Sequence, residues 1–107
     1  MDKQESFISN AFQTFYREAP KHSAAWMKMV KELAEANSLD QKTGSLAYLA
    51  VLAALGRTSG IPFHVKEARK NGATKEEVIS ACLVGLPAAG HIVTQALPAA
   101  VEAYNLD

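Results

Sequence analysis

Ten consecutive apolar residues, Leu46 to Leu55, lie between Ser45 and Gly56, and four of them are alanine. Such a run carries no period-two alternation, and a helix apolar on every side belongs in an interior rather than on a surface. The run breaks at Gly56 into a polar turn, Arg57-Thr58-Ser59-Gly60. A second helical segment follows, carries His64 one turn in, and stops at Asn71-Gly72. A buried helix that feeds a polar turn and then a histidine-bearing helix start is a place where a site can be built.

The flanking sequence reads as helix throughout. Residues 4–18 put Phe7, Ile8, Ala11, Phe12 and Phe15 on one face, and Pro20 ends that helix. Ser23 is placed to cap the next helix, whose apolar side holds Trp26, Met27, Met29, Val30 and Leu33 and which Asn37-Ser38 closes. Core packing accounts for that Trp and Met cluster better than a ligand pocket does. Asp40 is the expected N-cap of the apolar helix, and Thr58 or Ser59 that of the helix carrying His64, with Pro62 in its first turn. Ile61, Val65 and Ala68 form the inner stripe of that helix, with His64 beside it and Lys66, Glu67 and Arg69 toward water. Thr74-Lys75-Glu76-Glu77 has the form of a capping box and launches a helix through Val78, Ile79, Cys82, Leu83 and Leu86. That helix ends or kinks near Pro87 and Gly90, and a last one runs from about His91 to Tyr104 with a kink at Pro98. With no strand pattern, long linker or repeat, residues 1–107 read as a single all-α domain.

Charge excludes several classes of partner. Eleven Lys and Arg balance eleven Asp and Glu, so no basic excess argues for nucleic acid and no acidic tail argues for a solvating role. Cys82 is the only cysteine, so the chain has neither an internal disulfide nor a Cys-x-x-Cys couple, and a lone thiol fits a cytoplasmic setting. The start, MDKQES, is unlike a secretory or transit sequence. From Val78 to Val101 there is no Asp, Glu, Lys or Arg. A membrane span is one reading of that run, but Gly85, Pro87, Gly90, His91, Gln95 and Pro98 interrupt it. Apolar surface beyond what a small core hides points to burial between subunits. His22, His64, His91 and Cys82 lack metal-ligand spacing, so no metal is expected.

The segment from Leu39-Asp40 through the alanine-rich helix ending in Leu55-Gly56, with the sequel LAALGR…HVKEARKNGATKEEVISA, resembles the carboxymuconolactone decarboxylase family, which includes the alkylhydroperoxidase D-like proteins. The similarity covers roughly residues 39–104. It implies an alkylhydroperoxidase D-like bundle of about six helices that assembles as a homotrimer or homohexamer. Redox members of the family carry E-x11-C-x2-C-x3-H; counting back from His64, those positions hold Gly60, Arg57 and Ser45, and only the histidine is kept. A thiol peroxidase needs one thiolate to attack peroxide and a second thiol to resolve the product, and this chain has neither in the turn. Cys82 lies on an apolar helical face, where a thiol is usually inert packing.

The decarboxylase branch works without cysteines and also has a histidine at the position of His64. Its chemistry asks for a cation to hold carboxylates, a role open to Arg57 with Ser59 and the helix start, and for an acid–base group, a role open to His64. Each has a plainer alternative: a hydrogen-bonded structural histidine, a solvated arginine. His91, after Gly90 at a helix start, suits capping or a subunit contact better than catalysis. The expectation is a cofactor-free protein that binds, and decarboxylates or isomerises, a small carboxylate around His64, Arg57 and Ser59, with no nucleic acid or membrane partner. A role in peroxide or oxygen detoxification, and a non-catalytic oligomeric binding protein, are the two alternatives.

Overall fold

The computed structural model describes residues 8–106, so Phe7 and the expected helix start at residue 4 lie outside the described residues. The chain is all-α, with no strand among the described residues. It divides into two compact units, Met1–Asp40 and Gln41–Asp107.

The first unit pairs α1 (Asn10–Glu18) with α2 (Pro20–Ala36). Ser9 caps α1 by accepting from the Phe12 N–H at 3.1 Å. Pro20 both ends α1 and opens α2, where its missing N–H is harmless. Ser23 is therefore inside the second helix rather than at its cap, and its hydroxyl donates to the Pro20 carbonyl. Edge-to-face aromatic contacts join the pair: Phe12 meets Trp26 at 5.1 Å and Phe15 meets it at 6.3 Å. Met29 and Leu33 on α2 remain exposed.

The second unit is built on α3 (Gln41–Leu55), which packs against α4 (Ile61–Lys70) and α5 (Lys75–Leu83). After α5 come a single turn, Leu86–Ala89, a 3-10 segment, Gly90–Ala96, and α6 (Leu97–Asn105). The core holds Leu49 and Ala53 from α3, Ile61, Val65 and Ala68 from α4, and Val78 and Cys82 from α5. Ala73, Val93, Ala96, Ala100 and Ala103 complete it. Small side chains dominate this list, which lets the helix axes approach closely.

Two helix ends are set by glycine. At the end of α3, Gly56 has φ +69°, its N–H bonds to Ala53, and the Arg57 N–H reaches Leu52 at 2.9 Å. At the end of α4, Gly72 has φ +96°, its N–H bonds to Arg69, and the Ala73 N–H reaches Ala68 at 2.9 Å. Both are Schellman stops, in which a left-handed residue satisfies carbonyls the helix would leave open. The capping box is complete: the Thr74 hydroxyl accepts from the Glu77 N–H, and Glu77 accepts from the Thr74 N–H.

Several expectations are corrected. Gln41 opens α3 directly after Asp40, as read, but the helix is not buried all round: Tyr48 is 48%, Val51 53% and Leu55 63% exposed. Within the second unit, one side of α3 has no partner among the described residues. The last helix does not begin at His91. The 3-10 segment occupies that stretch, and Pro98 stands in the first turn of a new α-helix rather than at a kink. Lys66 and Arg69 do not simply face water. Lys66 donates to the Leu106 carbonyl, and Arg69 donates to Tyr104 at 2.9 Å, which supplies cations to the open carbonyl end of α6.

By length and composition Lys75–Asn105 could cross a membrane, and only 17% of its most apolar window is buried. It is not one continuous α-helix, however, and it sends Cys82, Val93, Ala96 and Ala100 into the core. The apolar side chains it exposes, among them Val84 and Ile92, lie at the breaks.

Candidate functional site

Of the site residues read from the sequence, Arg57 and Ser59 lie on the connection from α3 to α4 and His64 lies on α4 itself. Arg57 follows the left-handed Gly56 and is the N-cap of a 3-10 turn, Thr58–Gly60, that runs straight into α4. A Cβ at Gly56 would stand 3.0 Å from the end of the Ile92 side chain, which would have to give way, and the φ of +69° strains any other residue there.

Neither Thr58 nor Ser59 caps α4. Gly60 takes that position, with no side-chain cap bond. Its own N–H is used by the Arg57 carbonyl, the Ile61 N–H is used by Thr58, and Pro62 has none. The start of α4 therefore offers fewer free donors than a bare helix end, and Arg57 is the one cationic side chain of the turn. Arg57 and Ser59 are both exposed, and among the described residues the guanidinium forms no hydrogen bond or ion pair.

His64 stands on α4 beside the buried stripe of Ile61, Val65 and Ala68 and is itself half-buried. Rings surround it. Tyr48 of α3 lies over it with centroids 4.4 Å apart and 34° between planes, and Phe63 meets it edge-on at 5.2 Å. Among the described residues neither imidazole nitrogen has a hydrogen-bond partner, and no buried polar side-chain atom is left unsatisfied. Burial holds the His64 pKa below the usual 6.5, against a smaller opposing effect of the Glu67 carboxylate one turn on. At neutral pH the ring is mostly uncharged, the form that accepts a proton.

The structure thus brings Tyr48 to His64, which sequence reasoning missed because Tyr48 sat inside a run read as apolar packing. A phenol in an otherwise aliphatic stretch was the available signal. Ser45, at the position of the redox members' glutamate, is half-buried on α3, one turn before Tyr48. Cys82 is fully buried in the core of the second unit, and burial pushes its thiol pKa up. No group of three or more His, Cys, Asp or Glu among the described residues is arranged to hold a metal ion.

Compared with curated proteins and with solved structures, the chain has no significant match. Compared with protein families, residues 20–103 match one, the Carboxymuconolactone decarboxylase family. The match starts at Pro20, well before the segment that carried the resemblance, and takes in α2 as well as the helices around His64. With the all-α architecture already established, a match over most of the sequence places this chain in the carboxymuconolactone decarboxylase family.

Proposed function

We propose that the protein binds a small carboxylate at the α3–α4 connection and decarboxylates or isomerises it without a cofactor. The observation that carries this reading is the state of His64: half-buried, mostly neutral at pH 7, and with both nitrogens free of hydrogen bonds among the described residues. A structural histidine would be expected to spend at least one nitrogen on a neighbour. In this reading Arg57 pairs with a substrate carboxylate and Ser59 hydrogen-bonds it. His64 moves the proton. In isomerisation the neutral imidazole takes the proton removed from the substrate and returns it to the new position. In decarboxylation it first takes a proton from water and then delivers it to the carbon that loss of carbon dioxide leaves with an electron pair.

The working form is a homotrimer or homohexamer in the cytoplasm, with no nucleic acid or membrane partner. The exposed side of α3 supports assembly, since Tyr48, Val51 and Leu55 make an apolar stripe at helical spacing. Thiol-based peroxide reduction is disfavoured by the residues themselves: the turn has Arg57 and Gly60 where a cysteine pair would be needed, and Cys82 is sealed in the core.

The test is a thermal-shift screen of small mono- and dicarboxylates against the parent and Arg57→Ala. A ligand that binds only the folded state raises the melting temperature. At least one carboxylate should stabilise the parent and lose most of its effect in Arg57→Ala. Peroxide turnover with a thiol reductant, and no response to any carboxylate, would replace this reading with the detoxification alternative. Neither response would leave a non-catalytic binding protein.

A further inference from the structure

The contact between Tyr48 and His64 joins α3 to α4 across sixteen positions of sequence, and it does more than fill space. The imidazole lies over the Tyr48 ring with 34° between the planes and stands at 79° to the Phe63 ring. Imidazole nitrogens lie in the ring plane, so a contact on the face uses neither of them. We propose that Tyr48 is the positioning residue for His64: its ring covers one imidazole face, fixes the ring plane, and excludes water there while leaving both nitrogens to a ligand. This rests on the reading of His64 as the acid–base group, and it adds a residue with no counterpart in that reading.

The physical consequence has a definite sign. Water removed from one face of the ring no longer solvates the imidazolium, so Tyr48 favours the neutral base. The opposite role, a cation–π contact that favours the imidazolium, would raise the pKa instead. Of the charged groups on α4 and on the elements packed against it, Glu67 is the one whose charge registers at the imidazole, and it too favours the imidazolium. The lowered pKa of His64 therefore agrees with shielding, and the close, tilted contact of the two rings supplies the shield.

The experiment follows the ring resonances of His64 by NMR across pH in the assembled parent, in Tyr48→Phe and in Tyr48→Leu. A proton over an aromatic face is displaced upfield. The parent and Tyr48→Phe should both show that displacement and a pKa below the usual histidine value, because the ring and not the hydroxyl does the shielding. Tyr48→Leu keeps apolar bulk without a ring, so the displacement should vanish and the pKa should rise toward that of a free histidine. An unchanged resonance and titration in Tyr48→Leu, or a fall in pKa, overturns the proposal. So does the absence of nuclear Overhauser contacts between the two rings in the parent, a measurement that needs no variant. Acetate and fumarate titrated on the same resonance keep the two claims separate. If neither moves His64 while the Tyr48 variants behave as expected, the positioning role stands and the carboxylate reading fails.

Discussion

Lys42 and Glu77 meet at 2.9 Å, which ties the first turn of α3 to the first turn of α5. The pair is unequal. A cation in the first turn of a helix opposes the helix dipole, whereas Glu77 sits where the dipole favours an anion. Glu77 also accepts from the Thr74 N–H at 2.9 Å, so one carboxylate serves the capping box and the ion pair together. These contacts push its pKa below the usual carboxylate value, with the Thr74 N–H the largest cause and the Lys42 contact next.

Thr74→Ala should therefore cost about 1 kcal/mol of folding stability, the usual cost of a lost N-cap, while Lys42→Ala should cost little because the pair is exposed. The pH dependence has a fixed sign. A carboxylate with a depressed folded-state pKa binds its proton first in the unfolded chain. Its contribution is present above the unfolded pKa and lost as pH falls through the folded one. Urea midpoints measured downward from pH 6 should decline in the acid range, and Glu77→Gln should flatten that part of the curve. A parent whose decline matches that of Glu77→Gln would show that the acid sensitivity comes from other groups.

Cys82 should behave as packing. A fully buried thiol with a raised pKa presents almost no thiolate at neutral pH. An aromatic disulfide reagent should leave the native protein untouched and react with one equivalent on unfolding. Cys82→Ala should cost about 1 kcal/mol, a typical core substitution, and should change no activity. A thiol-dependent peroxidase rate that disappears in Cys82→Ala would relocate the chemistry to this residue.

What could be read from the sequence was mostly local. The capping box at Thr74 and the stop at Asn71-Gly72 use hydrogen bonds between residues a few positions apart, so both were visible in the residue order. The inner stripe of α4 was visible for the same reason, since Ile61, Val65 and Ala68 repeat at helical spacing and are all buried. The orientation of α3 was not. Ten apolar residues in a row carry no preferred side, so nothing local shows that Leu49 turns inward while Val51 and Leu55 turn out. Lys66 and Arg69 were read as solvated because their partners, Leu106 and Tyr104, are far along the chain. The same limit hid Tyr48 from the site, because its contact with His64 exists only once α3 and α4 have packed.

The exposed stripe of α3 predicts an assembly that can be broken. The parent should scatter light as a trimer or hexamer at micromolar concentration. Leu55→Lys places a charge at the most exposed apolar position of α3 and should lower the measured mass, with helicity retained. A parent that is monomeric under these conditions removes the assembly. It also reopens the membrane reading of the apolar run that ends in α6, and detergent or vesicle partitioning would test that reading directly.

The decisive variant is His64→Gln, which keeps hydrogen-bonding capacity and removes the titratable group. Because burial lowers the His64 pKa, the unfolded chain takes up a proton before the folded one does. The stability of the parent should therefore begin to fall as pH drops below the ordinary histidine value and should stop falling below the folded-state pKa. His64→Gln should lack that step. Its assembly and its circular dichroism at pH 7.5 should match the parent, since the imidazole forms no hydrogen bond to other described residues that its loss would orphan. Turnover of whichever carboxylate the screen identifies should fall by about 10²–10⁴-fold, the usual worth of general acid–base catalysis. The acid limb of the parent's rate profile should fall below pH 6.5, because the base form survives to lower pH than in a free histidine. A variant that unfolds or dissociates at pH 7.5 would make His64 a structural residue. A variant that folds, assembles and retains full turnover would move the acid–base role to another group.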